Sequence, residues 1–189
     1  MKRLEIDYTL GSMDVLVSLA RYNFVNKTIN DRNLKVLDFG CGSGYGTKVL
    51  KEKFYEVDSY DEYPDNYRPK DITVEQNLSK LKTDYYDIIT CFEVIEHMGE
   101  IDQNKLMDNL KSLLNKNGIL YISTVRKITP PPTKNRELYH TRELSFQELY
   151  DFCHSRFTNV LTFGQIDQTI STFNIDNQYH FVFACFNKR

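Results

Sequence analysis

The run Lys35-Val-Leu-Asp-Phe-Gly-Cys-Gly-Ser-Gly-Tyr-Gly-Thr47 constrains this chain more than any other stretch. Val36 and Leu37 read as a short buried strand, Asp38 brings a carboxylate to its end, and glycines follow at 40, 42, 44 and 46. The amphipathic segment Lys48–Phe54 then reads as a helix. Strand, glycine turn and helix are how an open α/β sheet builds a nucleotide-sized pocket at the carboxyl end of its first strand. Glycine lets the backbone turn sharply and approach a ligand with no Cβ in the way. A helix N-terminus turns unpaired N–H groups toward any anionic group there. The spacing excludes a dinucleotide site, which needs Gly-x-Gly-x-x-Gly. Gly40-x-Gly42 is followed at the required place by Tyr45, and Gly42-x-Gly44 by Thr47.

The remaining chain alternates strands and helices. Ser12 is the expected N-cap of a helix over Met13–Phe24, with Val15, Leu16, Leu19 and Ala20 as its apolar stripe. Strands are expected at Tyr55–Tyr60, Ile72–Gln76, Tyr85–Phe92, Ile119–Ser123, Val160–Phe163 and Tyr179–Phe186. Leu106, Met107, Leu110, Leu113 and Leu114 line one face of a helix over Ile101–Asn115, which Asn117-Gly118 is expected to close. Ser145 and Glu148 form a capping box that opens a helix to His154. This pattern implies an α/β fold with a mostly parallel sheet covered on both faces. At 189 residues, without a linker or repeat, one domain is expected. Residues 1–30 would form an N-terminal helical cap, and the Pro-rich segment 126–142 an acceptor lid.

Composition narrows the function classes. A net charge of −2 argues against a dedicated nucleic-acid binder. The four cysteines, 41, 91, 153 and 185, form no Cys-x-x-Cys pair, so neither a disulfide framework nor a zinc site is indicated. No apolar run approaches the ~20 residues of a membrane span, and Met1–Asp7 lacks a signal-peptide core, so a cytoplasmic location is expected.

Three stretches in order resemble the class I S-adenosylmethionine-dependent methyltransferases, over residues 13–164. Val36–Gly44 resembles the first motif of that family, Tyr86–His97 its fourth, and Leu110–Ser123 the helix, turn and fifth strand that follow. The resemblance implies a Rossmann-like seven-stranded sheet with its last strand antiparallel. It also implies S-adenosylmethionine as methyl donor and S-adenosylhomocysteine as product. Asp38 and the loop Gly40, Cys41, Gly42, Gly44 and Tyr45 would hold the methionine end. Asp61, 17 positions after Gly44, would accept both ribose hydroxyls, with Glu62 as the alternative if the strand end slips by one. Cys91 and Phe92 would complete the cofactor wall.

Two departures stand out. Where the family offers the adenine an acidic residue, this chain has Asn77-Leu78, and the span from Asp61 to Asp87 is too short for the usual helix between strands two and three. A partner chain covering that thin face, a homo-oligomer among the possibilities, follows as an expectation.

For chemistry, the Asn/Asp-Pro-Pro-Tyr/Phe motif of nucleic-acid base methyltransferases is absent at 91–94. Glu93 and His97 are four apart and share a face if the stretch turns helical. Either His97 or His140 would serve as general base. The run Tyr139–Leu149 resembles methyltransferases of surface-glycan pathways; Tyr139, His140 and Arg142 would meet the acceptor at the end of the lid, where Arg142 would grip a phosphate or carboxylate. The reading is methyl transfer to an oxygen or nitrogen of a small acceptor, a sugar or glycan precursor, with no metal. Two alternatives stand beside it. Glu93, Glu96, His97 and His140 resemble the metal cluster of small-RNA 2′-O-methyltransferases, and a non-catalytic cofactor-binding partner subunit is the other.

Overall fold

The computed structural model describes residues 13–64 and 69–189; the expected Ser12 cap lies outside them. Helix α1 (Met13–Thr28) leads to β1 (Lys35–Phe39), α2 (Tyr45–Lys51) and β2 (Glu56–Tyr60). Then come β3 (Tyr86–Phe92), α3 (Glu100–Leu113), β4 (Leu114–Val125) and α4 (Lys134–Tyr139). The chain closes with α5 (Phe146–His154), β5 (Phe157–Ile166), β6 (Thr169–Ser171) and β7 (His180–Lys188).

The seven strands form one sheet in the order β2-β1-β3-β4-β7-β5-β6. Strands β2, β1, β3 and β4 are parallel, β7 runs antiparallel to both β4 and β5, and β6 folds back antiparallel on β5. The mostly parallel sheet is what the alternation implies, and its Rossmann-like form with an antiparallel last strand is what the family resemblance implies. Successive residues of a strand face opposite sides, so the sheet builds two cores. Val36, Ile88, Tyr121 and Ala184 pack under Tyr22 and Val25 of α1 and Leu50 of α2. Leu37, Ile89, Leu120 and Phe183 pack with Met107 and Leu110 of α3 and Leu149 of α5. Apolar residues on both sides are what a central strand covered twice requires.

The expected strand at Ile72–Gln76 is a correction. Only one parallel bridge forms there, Glu75 beside Tyr60, through Glu75 N donating to Ser59 O and Asp61 N to Glu75 O. Pairing ends because the Glu75 carboxylate accepts from Gln76 N and Asn77 N, turning the backbone away. The count of seven is met by β6. Among the described residues, only the turn Leu78–Lys80, a 3₁₀ helix, stands between β2 and β3. Gly118 is a second correction: the helix ends at Leu113, and residues 115–118 bulge within β4, where the register against β3 shifts. Asn115 holds this bulge by donating to Asp87 and accepting from Asn117 N. The Ser145–Glu148 capping box forms as expected.

The chain leaves β1 for β2 on one side and then crosses to β3 on the other, so strand order reverses between β1 and β3. Ligands of open α/β sheets bind outside the carboxyl ends of the strands at such a switch point.

Candidate active site

A cleft of about 1220 Å³ opens at that place. Its floor is the end of β1 and the glycine loop. Gly40 adopts φ 77°, and a Cβ there would stand 2.3 Å from Val94 Cγ2. Gly46 serves packing: a Cβ would lie 1.9 Å from the Tyr22 ring, so α1 reaches the loop only over glycine. Four of the loop's donors are committed to protein acceptors. Gly40 N and Cys41 N bond Tyr60 O, Gly44 N bonds Cys41 O, and Gly42 N bonds Asp61 Oδ2 at 2.9 Å.

Of the residues read from the sequence, Gly40, Cys41, Gly42, Tyr45, Asp61, Leu78, Phe92, Glu93, His97, Tyr139 and His140 line this one cleft. Asp38, Gly44, Asn77, Cys91 and Arg142 do not line it. Asp38 lies beneath the loop, accepting from Thr47 Oγ1 at 2.7 Å, Thr90 Oγ1 at 2.9 Å and the Tyr22 hydroxyl at 3.3 Å. It thereby ties α1, α2 and β3 to β1. Burial pushes its pKa up to about 6, against the pull of these three donors. Gly44 begins α2. Asn77 caps the following turn through Ser79, and Cys91 is buried in the core under α3. Arg142 turns to Glu148 at 2.8 Å and Gln103 at 2.6 Å.

The far end of the cleft is a polar cluster. Glu93 follows β3 with φ 56°, a left-handed conformation that costs a non-glycine residue about 1 kcal/mol or more. Its carboxylate accepts from Ser123 Oγ at 2.7 Å and faces Arg21 at 4.0 Å and His180 Nε2 at 3.5 Å. Burial opposes its ionisation, but Arg21 and then His180 and Ser123 outweigh it and hold Glu93 below the ordinary range. Glu96, 1% exposed, is driven the other way: burial and then the Glu93 charge push its carboxyl well above the ordinary range. Thr124 Oγ1 donates to it at 2.9 Å.

His97 Nδ1 lies 2.8 Å from the carbonyl of Tyr139, and His140 Nδ1 2.6 Å from Glu143 Oε1. The two rings are 5.1 Å apart. One donor atom from each of Glu96, His97 and His140 lie within 4.8 Å of one another. Glu143 is gripped by the Arg136 fork, both bonds 2.7 Å.

Sequence reasoning missed Arg21, Arg136, Glu143 and His180. Arg21 carried a signal: it sits three and four positions from Ser18 and Val25, on the face of α1 that is buried.

The cleft fits S-adenosylmethionine by its donor set. The Asp61 carboxylate suits a vicinal diol, Phe39, Leu78 and Val94 offer apolar wall to a flat base, and the ionised Glu93 favours a cationic ligand. A family model described as a methyltransferase domain matches residues 16–166. The chain belongs to the class I S-adenosylmethionine-dependent methyltransferases.

This methyltransferase is 32% identical over 125 residues to a probable S-adenosylmethionine-dependent methyltransferase of Mycobacterium tuberculosis, covering 60% of this chain and 44% of that one. It is 31% identical over 138 residues to the ubiquinone biosynthesis O-methyltransferase of Rickettsia typhi, covering 67% and 51%. The chain thus spans about half the length of these curated relatives. Its fold matches a SAM-dependent methyltransferase from Archaeoglobus fulgidus with TM-score 0.71 at 17% identity, over 95% of both chains. No helix among the described residues is long and apolar enough to cross a membrane.

Proposed function

We propose that the methyltransferase moves a methyl group from S-adenosylmethionine to a hydroxyl oxygen of a small acceptor. The observation that carries this reading is the imidazole pair at the inner end of the cleft. A tertiary or neutral amine needs only room to react, whereas a hydroxyl must lose its proton, and His97 and His140 each offer a ring nitrogen for that task. The bound cofactor supplies the activated methyl group on a sulfonium. Asp61 would hold the ribose, Glu93 would provide a fixed negative wall, and residues 126–142 would close over the acceptor. Holding acceptor and methyl in line is the protein's main contribution.

A sugar or glycan precursor is the acceptor class to test first. Asp14, Asp102, Lys105, Asn109 and Asn135 give the cleft's lining a polar character suited to several hydroxyls. The relative named for ubiquinone biosynthesis makes phenols the comparison class. Incubation with methyl-labelled S-adenosylmethionine and a panel of sugar nucleotides, simple glycosides and dihydroxybenzoates tests the reading. Label in an acid-stable methyl ether supports it, and label only in N-methyl products overturns it.

One observation favours a second reading, metal-assisted methylation of an RNA 2′-oxygen: the convergence of Glu96, His97 and His140. Transfer to an RNA 3′ end that chelator abolishes and Mn²⁺ restores would promote it. The non-catalytic reading predicts no methylated product from any acceptor.

A further inference from the structure

The imidazole pair has a common source of order, and it is the lid. An imidazole offers a lone pair on only one nitrogen, and the partner of the other nitrogen decides which. His97 Nδ1 faces the carbonyl of Tyr139, which only accepts, so that nitrogen carries the proton and Nε2 carries the lone pair. His140 Nδ1 faces Glu143 Oε1 at 2.6 Å. Glu143 stays ionised because, against burial, Arg136 and His140 hold its carboxyl below the ordinary range. The same assignment follows for the neutral ring: Nδ1–H donates, and Nε2 carries the lone pair.

We propose that Glu143, anchored by Arg136, is the positioning residue that fixes the His140 tautomer and turns an unprotonated Nε2 toward the acceptor. The inference rests on the methyltransferase reading of the cleft. It is independent of whether that nitrogen takes a proton or binds a cation, because both need the lone pair.

Several contacts make Glu143 suited to this. Arg136 donates Nε to Oε1 and Nη2 to Oε2, each at 2.7 Å, so the carboxylate plane is fixed. Arg136 itself is 6% exposed and also bonds the Arg126 carbonyl at the end of β4, with its guanidinium over the Tyr179 ring. The charged and titratable groups around the His140 ring are then Arg136 and Glu143 on either side of it in the chain, Glu93 from the end of β3, and the turn residues Glu96 and His97. A positive charge developing on His140 as it takes the acceptor's proton meets Glu143 directly.

The lid and the turn after β3 are also stitched together by Thr141 Oγ1 donating to His97 O at 3.0 Å and Arg142 N to Glu96 O at 3.1 Å. Residues 136–143 thus supply both Nδ1 acceptors. Undocking this segment removes both tautomer locks at once.

The test is the long-range ¹H–¹⁵N imidazole spectrum of the full chain, wild type and Glu143→Gln, at neutral pH. The carboxylate accepts from Arg136 Nε, Arg136 Nη2 and His140 Nδ1. A glutamine amide has one accepting oxygen and cannot take all three. The wild type should show His140 protonated at Nδ1 alone, and Glu143→Gln should convert it to a tautomer mixture while the His97 pattern stays unchanged. A wild-type His140 protonated at Nε2, or one unmoved by Glu143→Gln, overturns the proposal. If Glu143→Gln melts early, Glu143→Asp keeps an anion for Arg136 while withdrawing it from His140 by one methylene, and the same release is expected. With any acceptor found, Glu143→Gln should lower kcat about 10²-fold without weakening S-adenosylhomocysteine binding. Loss of that binding in the wild type would sink the methyltransferase reading, whatever the tautomer.

Discussion

Arg21, on the buried face of α1, stands 4.0 Å from the Glu93 carboxylate at the end of β3. The pair links the first helix to the inner wall of the cleft, and Arg21 continues to Gln165 of β5 at 2.9 Å. Arg21→Met should destabilise the fold by on the order of 3 kcal/mol, the low end for a broken buried pair. The sign with pH follows from Glu93. Its folded pKa lies below its ordinary 4.5, so its contribution is full above that value and fades as pH falls through the folded pKa. The deficit of Arg21→Met, read from urea midpoints, should be largest at neutral pH and shrink below pH 4.5.

His180 behaves in the same sense, in a higher pH window. Burial, reinforced by Arg21 and Arg136 against the pull of Glu93, lowers its pKa from 6.5 to about 4. The unfolded chain then binds more protons between those values, so this group's contribution is present above pH 6.5 and is lost as pH falls to 4. The stability difference between wild type and His180→Phe should fall by on the order of 3 kcal/mol from pH 7 to pH 4. A pH-independent difference would contradict the buried neutral imidazole.

Gly46→Ala tests the seat of α1 on the loop. The added methyl meets the Tyr22 ring, whose hydroxyl reaches Asp38 at 3.3 Å, so the clash propagates into the loop. A loss of about 1–3 kcal/mol in stability is expected, together with weaker S-adenosylhomocysteine binding, both measurable by thermal melting with and without ligand.

Much of the frame was legible in the sequence because it rests on local rules. The glycine loop, the apolar strands at 36–37 and 86–92 and the capping box at 145–148 announce themselves through spacing and residue type. Ile72–Gln76 reads as a strand by composition, yet the neighbouring Glu75 carboxylate takes the backbone donors a ladder would use. Asn117-Gly118 has C-cap chemistry, but tertiary pairing of β4 claims it for a bulge. In α1, hydrophobicity pointed to Leu16, Leu19 and Ala20, whereas Ser18, Arg21 and Tyr22 are buried because the cleft wants polar groups there. Arg136 and Glu143, four and three positions from His140, were missed because a Pro-rich segment read as loop offers no period from which their contacts follow.

Asp61→Asn and Asp61→Ala separate charge from loop support. Asp61 Oδ2 accepts from Gly42 N and Oδ1 from Tyr63 N, both of which an alanine abandons. Hydrogen bonds to a charged group are worth about 1.5–3 kcal/mol, so Asp61→Ala should weaken S-adenosylhomocysteine about 10- to 100-fold. Asparagine, which keeps one acceptor, should fall between alanine and wild type.

Titration calorimetry of the wild-type chain with S-adenosylhomocysteine tests the central claim most directly. A saturable one-to-one isotherm that Asp61→Ala weakens is the expected result; a flat isotherm with no rise in melting temperature would contradict the assignment of this cleft to a methyl donor.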